Sequence, residues 1–242
     1  MKVTTSQILP RERVIALGTF DGVHLGHQAV LEVASVIAMC EKMAPCALSF
    51  LNHPLSVVGA GAPPLLTLPA EKALLVSHSL IDELILLPFT RRLSGLAPEE
   101  FIRGLVGPGG ARHIVVGDNY TFGAGGAGNV ELLDKLSREM GYTLHVVPKV
   151  SISSMDVSST RIRELLLAGD VRTAAEQLGR AYTMGGPGVY GNPIGHGTGF
   201  PTINIDIPQG KLLPKFGVYF GYAQIAGEQY RAMFNLGVKP TV

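Results

Sequence analysis

Two histidines lie three residues apart in the segment Gly18-Thr19-Phe20-Asp21-Gly22-Val23-His24-Leu25-Gly26-His27. Residues three apart share one face of a helix, so the imidazoles of His24 and His27 are expected side by side. There they could donate hydrogen bonds to phosphate oxygens that gain charge during a transfer reaction. Glycines permit tight turns, and a helix N-terminus attracts phosphate. The segment therefore predicts phosphate-transfer chemistry, with further nucleotide-binding candidates at Gly18, Thr19, Phe20, Asp21, Gly22 and Gly26.

Other interpretations of the histidine pair are two surface residues or one half of a metal site. The glycines, the aspartate and the buried strand that precedes them favour phosphate binding. The segment matches neither Gly-x-Gly-x-x-Gly nor a Walker loop ending in Gly-Lys-Ser/Thr. This argues against an NAD-linked dehydrogenase and a P-loop ATPase.

A second candidate site is Ser158-Ser159-Thr160-Arg161-Ile162-Arg163. Hydroxyls at the start of a helix, followed by the guanidinium groups of Arg161 and Arg163, are suited to the β- and γ-phosphates of a nucleotide. The alternative is ordinary helix capping followed by solvated arginines. The histidine segment elsewhere in the chain favours phosphate binding by Ser158, Ser159, Thr160, Arg161 and Arg163.

The third candidate is Gly117-Asp118-Asn119-Tyr120-Thr121-Phe122-Gly123, which follows a predicted strand. Asn119 could orient a phosphate or a ring, and the aromatic residues could pack against a ring. The alternative is an Asx-type turn with two core aromatic residues. A weaker candidate, Asn52-His53-Pro54, follows another strand.

A glycine-rich stretch near the C-terminus is the fourth candidate. Four glycines occur between residues 191 and 199 and are followed by Phe200-Pro201-Thr202-Ile203-Asn204. A flexible loop with Gly199 near its end and oxygen ligands from Thr202 and Asn204 would suit a Mg²⁺-nucleotide. The alternative is a long flexible hairpin loop.

The elements that must position these residues alternate along the first part of the chain. Apolar patterns predict strands at residues 13–18, 46–50, 83–87, 113–116 and 143–147, with helices at 24–42, 70–78, 98–106 and 129–140. Such alternation predicts an α/β fold with a parallel sheet and helices on both faces, whose ligands bind at the carboxyl ends of the strands. Two more helices, at 160–168 and 171–179, complete a first domain over residues 1–180.

Residues 181–242 have a different texture, with glycine- and proline-rich turns between short β-type runs at 188–190, 202–207, 217–225 and 230–236. This pattern predicts a second domain, a partial antiparallel β-barrel.

Composition excludes several classes of protein. The chain has 242 residues, 46% hydrophobic and 16% charged, with a formal net charge of +1. It should fold, and it lacks the clustered positive charge expected of a partner of nucleic acid or of an anionic membrane. No apolar run reaches the roughly 18 residues of a membrane span, and no signal peptide is evident, which predicts a cytoplasmic protein. Two cysteines are too few for a zinc site or a disulfide framework.

Together these motifs resemble the bacterial bifunctional riboflavin kinase and FMN adenylyltransferase family, also called prokaryotic FAD synthetase. Seven ordered blocks carry the resemblance, at residues 18–27, 117–123, 158–163, 179–182, 199–204, 214–219 and 235–241. The resemblance implies a Rossmann-like nucleotidylyltransferase domain that makes FAD and pyrophosphate from FMN and ATP with Mg²⁺. It also implies a β-barrel domain that phosphorylates riboflavin with ATP. Expected partners are these small molecules, with no nucleic acid and no membrane.

The resemblance also implies roles for individual residues. His24 and His27 would stabilise the transferring phosphoryl group, Asn119 would help to position substrate, and Ser158, Thr160 and Arg163 would hold ATP phosphates. The flavin side would be formed by Asn52, His53, Asp118 and Phe122. In the second domain, Gly199, Thr202 and Asn204 would contact the nucleotide, with Thr202 and Asn204 as metal ligands.

The sequence departs from the family pattern in two places. Asn52-His53-Pro54 stands where the family usually has Pro-His-Pro. The kinase's catalytic glutamate and the last barrel elements lie beyond the Pro-Thr of Asn-x-Gly-x-x-Pro-Thr, and this sequence ends one residue after Thr241. The expectation is that the chain as given phosphorylates no riboflavin. The alternatives are an adenylyltransferase for another small phosphorylated acceptor and a non-catalytic flavin- or nucleotide-binding fragment.

Overall fold

A six-stranded parallel sheet forms the first part of the molecule. The computed structural model describes residues 1–5, 11–59, 61–189 and 203–237. The strands of the sheet are β1 (Lys2–Thr4), β2 (Arg13–Leu17), β3 (Ala44–Phe50), β4 (Glu83–Leu87), β5 (Ala111–Gly117) and β6 (Thr143–Val147). Their order is β1-β4-β3-β2-β5-β6, and every neighbouring pair is parallel. The predicted α/β fold is confirmed, and β1 is an edge strand that the sequence analysis did not predict.

The strand order reverses at β2. The chain runs outward from β2 to β3 and β4, and then returns to place β5 on the other side of β2. Such a topological switch point opens a crevice outside the carboxyl ends of the two central strands, where ligands of α/β sheets bind. Residues 18–27 follow β2 and residues 118–123 follow β5, so the fold directs two of the candidate segments to one crevice.

Helices cover both faces of the sheet. They are α1 (Leu25–Glu41), α2 (Leu55–Val58), α3 (Pro69–Ser77), α4 (Arg91–Ser94), α5 (Pro98–Val106) and α6 (Val130–Met140). Side chains of β2 alternate between faces: Val14 packs in the core beneath α1 and α3, whereas Ile15 packs in the core beneath α5 and α6. Among the described helices, none combines the length and the apolar composition that a bilayer crossing requires.

A buried ion pair joins β2 to β4 at the end of the sheet opposite the crevice. Nε of Arg13 lies 3.0 Å from Oε2 of Glu83, and the two side chains are 1% and 2% exposed. Thr4 of β1 donates a hydrogen bond to the other carboxylate oxygen at 3.2 Å. Burial raises the pKa of Glu83, but Arg13, together with Arg11 and Thr4, outweighs burial and leaves the pKa lowered. The neighbouring Cys46 thiol is buried, which raises its pKa to about 12, whereas Cys40 on α1 is exposed.

The chain divides by its internal contacts into residues 1–159 and residues 160–242. A short antiparallel pair, β7 (Ser151–Ile152) and β8 (Met155–Asp156), lies near the end of the first unit. Helix α7 (Ser159–Ala168) follows and, with α8 (Val171–Leu178), falls largely in the second unit. One reason for this division is that the Lys215 N–H donates to the carbonyl of Leu166 at 2.9 Å. The boundary at residue 180 remains a prediction.

The rest of the second unit contains two antiparallel strand pairs. β9 (Gly188–Val189) pairs with β10 (Asn204–Ile205), and β11 (Gly217–Ile225) pairs with β12 (Glu228–Leu236). The antiparallel β character predicted for this part of the sequence is confirmed.

Candidate active site

The backbone between β2 and α1 is strained. Phe20, Gly22 and Val23 have φ values of 47°, 87° and 39°. Positive φ is rare for residues with a side chain, and most of all for a β-branched one, so surrounding contacts must hold this turn in place. Glycine at position 22 adopts its conformation without that cost.

Asp21 supplies much of the support for this turn. Its carboxylate accepts hydrogen bonds from the N–H of Leu66 at 3.2 Å and the N–H of Thr67 at 2.9 Å. The Thr67 hydroxyl donates to the same carboxylate at 3.2 Å and accepts from the Gly22 N–H at 2.9 Å. Asp21 is only 2% exposed. These contacts give Asp21 a structural role in fixing the turn, and its predicted contact with the nucleotide stays a prediction.

The two histidine rings are stacked. Their centroids are 3.6 Å apart and their planes differ by 15°. His24 is the N-cap of α1, and its Nδ1 accepts the His27 N–H at 3.3 Å. The prediction that both lie on one helical face is therefore modified, because His24 has extended backbone and precedes the first helical residue. Phe20 is fully buried and packs edge-to-face against His27, so it supports the imidazole from the core.

Protonation states follow from these contacts. Because Nδ1 of His24 accepts a hydrogen bond, a neutral His24 carries its proton on Nε2. Burial, the neighbouring His24 and the Lys72 ammonium lower the pKa of His27 well below its usual value. Nδ1 of His27 is buried without a hydrogen-bond partner among the described residues. At neutral pH the His27 ring is therefore neutral and carries one N–H donor.

Gly26 allows His24 to lie across the first turn of α1. A Cβ at position 26 would stand 3.3 Å from both Cε1 and Nδ1 of the His24 ring. In the same turn, the N–H groups of Leu25 and Gly26 have no acceptor within the helix. The positive end of a 17-residue helix and its unpaired N–H groups thus adjoin the stacked histidines.

A buried lysine that the sequence analysis missed contacts the loop that follows β2. Lys72 is on α3 and is 6% exposed. Its Nζ donates to the carbonyl of Thr19 at 2.7 Å and to the hydroxyl of Ser49 and the carbonyl of Phe50, each at 3.0 Å. The sequence offered one signal that Lys72 is buried: position 72 lies four residues before the buried Val76, on the apolar face of the helix.

The Asn52-His53-Pro54 segment lines the cleft together with Thr19 and Lys72. The Asn52 amide donates to the Phe89 carbonyl at 3.0 Å and accepts from the Phe89 N–H at 2.9 Å. Nδ1 of His53 accepts the Leu55 N–H at 3.1 Å. The ring of Phe89 meets the ring of Phe50 edge-to-face, with centroids 5.0 Å apart. The structure thus brings the predicted flavin-side segment together with the loop that carries the histidines.

The segment after β5 separates into exposed and buried residues. Asp118 and Asn119 are exposed in the turn that follows the strand, beside the switch point. Phe122 is 7% exposed and packs in the core, stacked on Tyr120 with centroids 5.8 Å apart. Its placement matches the alternative of a core aromatic residue and gives no support to direct flavin contact.

The serine- and arginine-containing segment begins beside the histidine loop. The Ser159 hydroxyl donates to the carbonyl of Asp21 at 2.8 Å, which ties the start of α7 to the strained turn. Ser158 directly precedes this residue. Thr160, Arg161 and Arg163 belong to the second unit, where Nη1 of Arg161 lies 3.3 Å from Oε2 of Glu164.

The candidates in the second domain are only partly described. Gly199 and Thr202 lie outside the described residues, and Asn204 is the exposed first residue of β10. In the part of the chain that the structure describes, no group of three or more His, Cys, Asp or Glu side chains is arranged to hold a metal ion.

Comparison with known proteins relates both parts of the chain to flavin enzymes. The family model described as FAD synthetase matches residues 6–161, and the one described as riboflavin kinase matches residues 178–242. A bifunctional riboflavin kinase/FMN adenylyltransferase of Listeria monocytogenes is 33% identical over 99% of this chain and 76% of its own length. The enzyme of the same name from Bacillus subtilis is 34% identical over 94% of this chain and 72% of its own length.

A similar structure has also been solved. A Streptococcus pneumoniae protein described as a macrolide-efflux protein superposes with a TM-score of 0.88 at 29% identity. The superposition covers 98% of this chain and 79% of that one. Its fold is therefore shared along nearly the whole chain.

Proposed function

Because this chain belongs to the family of bacterial bifunctional riboflavin kinase/FMN adenylyltransferases, we propose that the crevice beyond β2 and β5 is where it transfers AMP from ATP to FMN. FMN adenylyltransferase activity is the function of the family's FAD synthetase domain, which covers residues 6–161 of this chain. ATP and FMN are its substrates. The observation that supports this location most directly is the stacked pair of histidines at the N-terminus of α1.

In the reaction, an oxygen of the FMN phosphate attacks the α-phosphorus of ATP. A new O–P bond forms, the bond from that phosphorus to the oxygen shared with the β-phosphate breaks, and pyrophosphate leaves. No proton has to be transferred to the histidines. The imidazoles of His24 and His27 each offer an N–H donor to oxygens whose charge rises in the transition state. The N–H groups of Leu25 and Gly26 stabilise the same charge from the helix end.

The remaining assignments extend this proposal. Gly18, Thr19 and Gly22 shape the loop so that the backbone can approach ATP. Asn119 orients a substrate at the switch point, with Asp118 beside it. On the other side of β2, Asn52 and His53 form the flavin side of the cleft. Ser158, Thr160, Arg161 and Arg163 hold the β- and γ-phosphates, with Ser159 securing the start of their helix.

Mg²⁺ is proposed to be bound as part of the substrate. Mg²⁺ prefers phosphate and water oxygens, with few ligands from the protein. The described residues fit this mode because they offer no cluster of carboxylates or histidines for a separate metal site. When bound, Mg²⁺ neutralises phosphate charge. Asn204 and Thr202 are proposed as nucleotide and metal ligands of the riboflavin kinase domain, with Gly199 in the adjoining loop.

An adenylyltransferase for a different phosphorylated acceptor is the second candidate that the sequence left open. The match of residues 178–242 to riboflavin kinase favours a flavin acceptor, because an enzyme that also makes FMN supplies its own second substrate. A non-catalytic flavin binder would retain the cleft without turnover.

The experiment is to incubate the chain with FMN, ATP and Mg²⁺ and to separate FAD by chromatography. We expect FAD from the wild type and a loss of at least about 100-fold in kcat for His27→Ala. His78→Ala is the matched control, because His78 is an exposed histidine at the end of α3. Absence of FAD from folded wild-type protein would exclude the enzyme. Equal rates for His27→Ala and His78→Ala would exclude the role of His27.

A further inference from the structure

The ammonium group of Lys72 uses all of its donors inside the protein. It donates three hydrogen bonds, to the Thr19 carbonyl, the Ser49 hydroxyl and the Phe50 carbonyl. A lysine offers three N–H donors, so all of them are used. The Ser49 hydroxyl in turn donates to the Thr19 carbonyl at 2.7 Å. The four residues therefore form one closed hydrogen-bonded cluster in which Lys72 is the only cation.

This cluster lies where two neighbouring strands end. Thr19 begins the loop that follows β2 and leads to the histidines, whereas Ser49 and Phe50 end β3 and lead to Asn52 and His53. Strands β2 and β3 are parallel neighbours, so both ends face the crevice. One lysine on α3 thus connects the loop carrying the histidines to the segment assigned to the flavin side.

Joining two loops does not by itself require a charge. Burying an ammonium group is costly, and a neutral donor could satisfy a carbonyl at lower cost. Burial lowers the pKa of Lys72 to about 8, with the Asp21 carboxylate acting in the opposite direction. The Asp21 carboxylate also accepts hydrogen bonds from the N–H groups of Leu66 and Thr67.

The charge of Lys72 also acts on His27. Both the neighbouring His24 and Lys72 contribute to lowering its pKa, after burial. The charged and titratable groups that act on Lys72 and His27 from the surrounding elements are Asp21, on the loop after β2, and His24, at the start of α1. The positive charge of Lys72 disfavours a positive charge on the imidazole of His27.

We propose that Lys72 is a positioning residue for adenylyl transfer, which holds the ends of β2 and β3 in register and contributes, after burial and His24, to keeping His27 a neutral hydrogen-bond donor. The proposal rests on the proposed function of the histidine pair. Lys72 acts through Thr19, Phe50 and His27, without itself contacting a reacting atom.

The first test measures His27 directly and needs no turnover. NMR titration of the histidines is compared for wild type, Lys72→Met and Lys135→Met, with the His27 signal assigned from His27→Gln. Lys135 is an exposed lysine on α6 and serves as the control for loss of one positive charge. We expect the pKa of His27 to rise by roughly half a unit or more in Lys72→Met and to stay unchanged in Lys135→Met. Equal values in all three proteins would overturn the electrostatic part of the proposal.

The second test is the pH dependence of FAD formation. Loss of the Lys72 proton above a pH of about 8 should lower kcat in the wild type. Lys72→Arg keeps its charge to much higher pH, so the alkaline fall should move upward by at least one pH unit. An unchanged alkaline fall in Lys72→Arg overturns the proposal, as does a kcat for folded Lys72→Met within two-fold of wild type.

Two outcomes keep this proposal separate from the proposed function. If no protein forms FAD, the function fails, and the titration of His27 still decides whether Lys72 controls the imidazole. If Lys72→Met does not fold, Lys72→Arg decides, because it keeps the charge and must retain the low pKa of His27. If the pKa of His27 rises in Lys72→Arg, so that His27 becomes protonated at neutral pH, the role of the charge is refuted.

Discussion

Replacing Asp21 by alanine tests whether this residue is structural or contacts the nucleotide. The change removes the acceptor of two buried N–H groups, since Leu66 is fully buried and Thr67 is 4% exposed. A buried donor left without a partner costs about 1–3 kcal/mol. Two such donors, with some relaxation, predict a loss of about 3 kcal/mol in the free energy of unfolding. Asp21→Asn keeps one acceptor oxygen, so we expect a loss of about 1–2 kcal/mol.

The assay is urea unfolding followed by circular dichroism, because the chain contains no tryptophan. For a slope of about 2 kcal/mol/M, the alanine variant should unfold at roughly 1.5 M less urea than the wild type. Asp82→Ala, at an exposed aspartate just before β4, is the control and should stay within about 0.5 kcal/mol. An Asp21→Ala protein as stable as the control, with ATP binding lost, would refute the structural role and support the nucleotide contact.

Three further changes test other parts of the structure. Gly26→Ala adds a methyl group against the His24 ring, so we expect kcat for FAD formation to fall about 10-fold, while calorimetry shows an unchanged or higher Tm. Asn52→Ala removes both hydrogen bonds to Phe89, so steady-state kinetics should show KM for FMN raised about 3- to 10-fold, with kcat less affected. Glu83→Gln weakens the buried ion pair and should reduce the free energy of unfolding in urea by about 3 kcal/mol at pH 7. Because the pKa of Glu83 is lowered in the folded protein, the stabilisation by its carboxylate is present above pH 4.5 and is lost as the pH falls through the folded pKa. The Glu83→Gln variant should therefore lose less stability on acidification than the wild type.

Each of these three predictions has a result that would contradict it. Gly104→Ala is the control for Gly26→Ala, because a Cβ there meets nothing within 4 Å; equal kcat values for the two variants would mean that His24 tolerates the methyl group. For Asn52→Ala, an unchanged KM for FMN would place the flavin elsewhere. For Glu83→Gln, an acid transition identical to that of the wild type would show that another group controls acid stability.

Much of the fold could be predicted because local patterns and tertiary structure agree. Buried strands such as β4 are uninterrupted apolar runs after a single polar residue, and helices such as α5 begin at a proline and carry acidic residues in the first turn. β1 was missed because only three residues pair with β4. Such a strand is specified by its partner, and a short polar sequence carries no pattern of its own.

The sequence indicated candidate residues of the site, but not the contacts that hold those residues in place. The type and spacing of the histidines indicated their chemistry, yet their stacking depends on His24 being outside the helix, which spacing does not reveal. The sequence shows Asp21 only as an aspartate beside glycines, and it does not show that Leu66 and Thr67 donate hydrogen bonds to its carboxylate. Lys72 was missed for the same reason, since its three acceptors come from distant positions in the chain.

The contrast between the two cysteines has a practical consequence. The thiol of Cys46 is buried and stays protonated at ordinary pH, so a maleimide reagent should modify only the exposed Cys40. Cys40 lies 15 residues after Leu25 on one continuous helix, which places a fluorophore there about 22 Å from the turn that adjoins the histidines. Flavin bound in the crevice would quench a dye whose emission overlaps flavin absorption, so Cys40 provides a single attachment site for an optical reporter of occupancy.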